Sequence, residues 1–206
     1  MASREIALGS ADAFAGTAAV ERGLVEMCRR GDAEAFARLV SLHESMVYNL
    51  AARLLGDGEE ARDLSQDVFL QVYRTLGRFE GRSTLKTWIY RIVVNQARNR
   101  HRFWRRRHRD EQVSLDQHVA THGDVLRGSG PAPDRVLAQK ELAEQLQQAL
   151  ERLPFEQRTA IVLREVDGLS YEEIAYSLNL AVGTVKSRLT RARQALRADL
   201  RDARTA

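Results

Sequence analysis

Apolar side chains recur along this chain at intervals of three and four, not two. Residues 1–19 are rich in Ala, Gly and Ser and carry no such stripe, so they read as a frayed tail; the helical period begins at Val20. "DAEAFARLVSLHESMVYNLAARLL" puts Phe36, Leu39, Val40, Met46, Val47, Leu50, Leu54 and Leu55 on one face. Asp32 is a plausible N-cap, and "GDG" at Gly56 to Gly58 stops the helix. The next helix, "EEARDLSQDVFLQVYRTL", turns Ala61, Leu64, Val68, Phe69, Val72 and Leu76 inward. Two glycines in "GRFEGRS", Gly77 to Ser83, break it, and a fourth helix runs from about Ser83 into "NQARNRHRFWRRRHR".

Residues 110–134 show no period, and "RGSGPAP" adds the glycines and prolines of a flexible spacer. The chain therefore divides into a four-helix unit, 20–109, a linker, 110–134, and a second helical unit, 135–206. Val136 to Leu153 is amphipathic, and three further helices follow it. Pro154 suits the first turn of one, Gly168 ends it, and Ser170 with Glu173 forms a capping box for the next. The expected fold class is all-α, two small helical domains joined by a flexible linker.

"LSYEEIAYSLNLAVGTVKSRL" reads as a helix-turn-helix. Ile174, Ala175 and Leu178 face inward from its first helix, and Val185, Leu189, Ala192 and Leu196 from its second. Asn179 stands at the turn, where a left-handed residue is needed and asparagine tolerates it. Thr184, Ser187, Thr190 and Arg191 share the opposite face, with Lys186 and Arg188 at its margins, so that face can meet base edges while its borders hold phosphates. The bland alternative is an αα-hairpin with a solvated basic face.

Charge sharpens the picture. The net charge of +4 hides a segregation: residues 98–139 carry 9 basic against 5 acidic groups, and residues 184–206 carry 7 against 2. Two basic islands among acidic surroundings suit localised polyanion contacts. On the fourth helix Arg91, Asn95, Arg98, Arg102, Arg105 and Arg109 form one narrow stripe, backed by Leu85, Ile89, Ile92, Val93, Ala97 and Phe103. Arg100 and Arg107 break the segregation, and their stems could snorkel from the apolar side. Such register disfavours a targeting signal or a disordered RNA-binding arm.

The lone Cys28 excludes an internal disulfide, and no apolar run approaches the roughly 18 residues of a membrane span, so a cytoplasmic protein without direct membrane insertion is expected. No P-loop, GxSxG or HExxH motif occurs. Neither an enzyme, a small-molecule substrate nor a cofactor is expected. His118, His122 and Cys28 are too few and too scattered for a metal site.

"DLSQDVFLQVYRTLGRF" with "STLKTWIYRIVVNQARN", and beyond the spacer "LPFEQRTAIVLREVDGLSYEEIAYSLNLAVGTVKSRLTRAR", resemble the extracytoplasmic-function (ECF) sigma factors of the sigma-70 family, over about Cys28 to Leu200. The resemblance implies a region 2 domain and a region 4 domain, core RNA polymerase and promoter DNA as partners, and control by an anti-sigma factor. It assigns polymerase binding to Asp63, Leu64, Gln66, Asp67 and Phe69, and −10 contacts to Arg78, Phe79, Arg82, Ser83, Asn95, Arg98, Asn99 and Arg102. Lys186, Ser187, Thr190 and Arg191 are expected at −35 base edges, with Thr184, Arg188 and Arg193 on phosphates. Trp88 is either a melting wedge or a packing residue. A free-standing helix-turn-helix regulator is the alternative, but would need neither the docking helix nor the second basic stripe.

Overall fold

A computed structural model describes residues 21–111 and 133–205, with side-chain environments for 21–107 and 142–201. The described residues contain helices and no strand. The tail and residues 112–132 of the spacer lie outside them, as do His118 and His122.

The first unit holds α1 (residues 21–29), α2 (Ala33–Leu55), α3 (Gly58–Thr75) and α4 (Leu85–Glu111). Local chemistry sets the ends of these helices. The Asp32 carboxylate accepts the Ala35 amide at 3.0 Å, satisfying one of the orphan donors that open α2. Gly56, left-handed at φ 76°, returns its N–H to Ala52 and closes that helix. Asp57 then accepts the Glu59 and Glu60 amides, so two helices are joined by two residues. Leu39, Val47, Leu50 and Leu54 of α2, Leu64, Val68 and Val72 of α3, and Ile89, Val93 and Ala97 of α4 are almost wholly buried against one another.

The second unit holds α5 (Pro133–Arg152), α6 (Phe155–Ile161), α7 (Tyr171–Leu178) and α8 (Val182–Thr205). Pro154 sits at the N-cap of α6 rather than inside its first turn. A π-helical turn, Val162–Val166, continues α6, with the Asp167 amide reaching back to Val162 at 3.1 Å. The hydrophobic period does not reveal that widening. Left-handed Gly168, φ 73°, follows it and redirects the chain into α7.

The apolar stripes of both units meet in one contiguous core that runs from Leu54 through Leu153 and Leu163 to Leu189. The second unit is laid along α4, so the side chains between the units are part of the structure of each.

Candidate protein and nucleic-acid interfaces

On α3, Asp63 and Gln66 are exposed, and Asp67 is drawn to Arg100 of α4 at 2.8 Å. Leu64 is fully buried. It cannot meet a partner directly; it belongs to the inward stripe and holds the helix to α2. Phe69 is half-buried and lines a groove of about 710 Å³ between α2 and α3, with Phe36, Val40, Tyr48 and Tyr73 around it. Phe36 and Tyr73 meet edge to face at 5.1 Å, yet Tyr73 remains 63% exposed and Leu70 53%. Sequence reasoning missed these apolar residues. Leu70 lies one turn beyond Gln66 and Tyr73 a further turn on, a spacing that could have found them.

The α3–α4 connection starts with a 3₁₀ turn, Leu76–Arg78, and bends at Gly81, φ 71°. Phe79 packs its ring 5.3 Å from Trp88, and its carbonyl accepts from the Arg29 guanidinium. Phe79 and Trp88 are both partly buried against the core, so each supports the loop from beneath. Arg78 and Arg82 stay exposed, Arg82 pairing with Glu80 at 2.6 Å, and Ser83 is half-buried.

Thr84 caps α4 by accepting the Thr87 amide at 3.1 Å. Asn95, Asn99 and Arg102 are exposed, and Arg102 donates to the Asn99 amide oxygen at 2.6 Å. Arg98 turns instead toward α6. Phe103, expected on the apolar side, is 59% exposed, because α4 outruns the unit: among its described side chains the last fully buried one is Ala97. Arg100 does not snorkel to solvent; it is held by Glu60 at 2.5 Å and Asp67, pinning α3 to α4.

In the second unit the Ser170 hydroxyl accepts the Glu173 amide at 3.1 Å while Glu173 accepts the Ser170 amide at 2.8 Å, a complete capping box. Asn179 is left-handed, φ 54° and ψ 54°, and turns α7 into α8. Val185, Leu189 and Ala192 are buried and Leu196 half-buried. Thr184, Lys186, Ser187, Thr190 and Arg191 are exposed on the far side. The Ser187 and Thr190 hydroxyls donate to the carbonyls of Thr184 and Lys186 in their own helix. Arg193 leans on Glu165 at 2.7 Å.

Residues 39–109 match the family model described as Sigma-70 region 2, and residues 143–196 match Sigma-70 region 4. The RNA polymerase sigma-H factor of Pseudomonas aeruginosa is 39% identical over 176 residues, 85% of this chain and 91% of that one. The chain belongs to the ECF sigma factors of the sigma-70 family. The ECF sigma factor SigW of Bacillus subtilis, 35% identical, covers 86% of this chain, with 95% of its own length matched. Among solved structures, the sigma factor RpoE of Bartonella quintana in complex with the anti-sigma factor NepR superposes with a TM-score of 0.65 at 29% identity, covering 81% of this chain and 96% of that one. CnrH in complex with the cytosolic domain of CnrY gives 0.62 at 29% identity, covering 88% and 97%.

Polar contacts border the apolar core that the region 2 and region 4 units share. The Glu156 carboxylate takes Arg98 of α4 at 2.9 Å and Arg188 of α8 at 2.5 Å. Arg91 lies over the Tyr176 ring at 5.4 Å, and Thr87 donates to Glu173 at 3.2 Å. The Ser177 hydroxyl donates to the Thr87 carbonyl at 3.3 Å. Arg158, only 6% exposed, donates to the carbonyls of Leu54 at 2.7 Å and Glu151 at 2.6 Å. Tyr90 faces Asp167; burial, then the neighbouring carboxylate, raises the phenol's pKa, and burial likewise raises that of Asp167. His101 stacks on Phe155 at 4.7 Å, and burial, then the cations Arg158 and Arg105, lowers its pKa. Cys28 is half-buried, and burial, then Asp32, raises its pKa, the opposite of a reactive thiolate.

Proposed function

We propose that this sigma factor docks on core RNA polymerase through the α2–α3 groove and the exposed acids of α3, reads the −10 strand with α4 and the loop before it, and reads the −35 element with α8. The carrying observation is the order of surfaces. A partly apolar groove lies on the region 2 unit, with Asp63 and Asp67 on the same α3 helix, followed by an arginine stripe and then a helix-turn-helix with its outer face exposed. Gln66 and Phe69 line the groove, and the exposed carboxylates Asp63 and Asp67 stand on the same helix, suiting a basic helical partner. Asn95, Asn99 and Arg102, with Arg78, Arg82 and Ser83 of the loop, are assigned to the −10 strand, and Phe79 to support of that loop. Lys186, Ser187, Thr190 and Arg191 are assigned to base edges, and Thr184, Arg188 and Arg193 to phosphates.

An anti-sigma factor is the expected inhibitor: two solved structures that superpose on this chain are complexes, one named as containing an anti-sigma factor and the other the cytosolic domain of CnrY. Among the described residues no helix is long and apolar enough to cross a membrane, and a cytoplasmic site of action follows from the polymerase it serves. The family consists of transcription initiation factors, and no catalytic step is assigned to this one.

Transcription from a promoter library by core polymerase, with and without this protein, tests the reading. Initiation at a defined subset of promoters is expected only when it is present. Tight duplex binding by the protein alone, with no new start sites, would overturn it in favour of a free-standing regulator.

A further inference from the structure

The α3–α4 loop hangs from Phe79, and part of what holds Phe79 comes from α1, outside residues 39–109. Phe79 is gripped at three points. Its N–H donates to the Leu76 carbonyl at 3.1 Å, its ring lies 5.3 Å from Trp88, and its carbonyl accepts from the Arg29 guanidinium, 50 residues earlier. Arg29 itself has a firm base. Leu24 and Val25 bury α1 in the core. The helix then closes at left-handed Gly31, φ 84°, with the Gly31 amide returned to Cys28 at 3.0 Å and that of Asp32 to Met27 at 3.2 Å. Glu26, one turn back, pairs with the guanidinium at 2.6 Å. The fork is thus aimed from its own helix, independently of the loop.

We propose that Arg29 is a positioning residue for −10 recognition, a clamp that fixes the direction of the Phe79 carbonyl and with it the course of Glu80 to Ser83. This rests on the assignment of that loop to the −10 strand. In a trans peptide the carbonyl and the following amide point opposite ways, so a carbonyl held toward α1 turns the Glu80 N–H away from it. The loop downstream needs such a reference. At Gly77 and Gly81 the direction a side chain would take is open for 4 Å, so packing does not fix the backbone there. The Arg82–Glu80 pair is internal to the loop and moves with it. A loop whose anchor slips still offers its groups to DNA, but in no fixed register, so the loss falls on discrimination among bases rather than on folding. The site is accessible enough for this: Arg29 is 31% exposed and Glu26 56%, so solvent screens their pair and its removal costs the fold little.

The test uses the full chain with core polymerase on a promoter library randomised in both the −10 and −35 elements, and reads the relative initiation from each base at each position. Arg29→Ala should flatten the preference at a −10 position about fivefold, equivalent to about 1 kcal/mol, and leave every −35 preference as in the parent. Alanine at Arg82 and Ser83 together should alter the same −10 position. Arg29→Lys, with one ammonium in place of the planar fork, should restore part of the preference. Glu26→Gln should flatten it in the same direction by less, and decides the matter if Arg29→Ala lowers the melting temperature by more than about 5 °C. An unaltered −10 preference in the Arg29 and Glu26 variants, with the loop substitutions still altering it, would overturn the clamp and leave the loop assignment standing. No effect of the loop substitutions would overturn that assignment and the clamp with it. Equal flattening at −10 and −35 would mark a general loss of structure and overturn the positioning role.

Discussion

Replacing Arg158 by methionine removes a cation placed between the C-terminal ends of two helices. Leu54 lies in the last turn of α2 and Glu151 in the last turn of α5, where carbonyls lack intrahelical partners and the helix dipole is negative. The guanidinium donates to both, at 2.7 and 2.6 Å, from a site where burial already lowers its pKa. Hydrogen bonds to a charged group contribute about 1.5–3 kcal/mol each, so the pair is worth about 3–6 kcal/mol before the cost of burying the charge is recovered. With that recovery, and with the unpartnered Nε no longer buried, the net loss for Arg158→Met should be about 2–4 kcal/mol. For a chain of this size that lowers the melting temperature by about 5–15 °C. Differential scanning calorimetry and urea titration against the parent measure it. Arg152→Met is the control: Arg152 is exposed and only 3.8 Å from Asp199, and its removal should cost under about 1 kcal/mol. Equal small losses in both variants would refute the reasoning, as would full rescue by Arg158→Lys, whose single ammonium cannot reproduce the planar fork.

Asn179→Gly should be neutral or slightly stabilising and Asn179→Ala should cost about 1 kcal/mol, since only the residue's left-handed φ is at stake; urea midpoints separate the two. His43 is buried, with its pKa lowered by burial and by Lys86, so the neutral ring supplies stability above pH about 6.5 that is lost as pH falls below it; the slope cannot exceed about 1.4 kcal/mol per pH unit, and His43→Gln should reduce it in pH-dependent unfolding. Leu70→Arg should weaken core polymerase binding about thirtyfold in a labelled competition assay while leaving the far-ultraviolet circular dichroism unchanged. Alanine at Arg105, Arg106 and Arg107 together should weaken many promoters alike and flatten the salt dependence of DNA binding by about 2–3 in slope, whereas Asn95→Ala should change which −10 sequences initiate.

Local chemistry is what made much of the fold readable before any coordinates. Asp32, Ser170 and Asn179 act on residues within four positions of themselves, so their signatures lie in contiguous sequence, and the helical period marks Leu39, Val68 and Ile174 as inward. The same period misled beyond the end of the core, where it carried Phe103 onto an apolar face. It had turned Leu64 inward, as the structure does, and it was the resemblance that set this residue on the docking surface. The π turn leaves no hydrophobic signature, because it adds one residue to a single turn. Partners of the arginines were not legible at all: Arg100 finds its acids 40 and 33 residues away, and Arg98 finds Glu156 58 away, distances that only tertiary packing closes.

The capping box at the start of α7 is made entirely within Ser170 and Glu173, while the contact of Glu173 with Thr87 uses its other carboxylate oxygen. Separation of the two units can therefore strip away the Thr87 bond without unravelling the first turn of the helix-turn-helix. Left-handed Asn179 is likewise fixed by its neighbours Ala175 and Tyr176. The reading head thus travels as a preformed piece: its backbone entropy is settled at folding rather than at the promoter, so more of the free energy of each base contact remains available to discriminate one sequence from another.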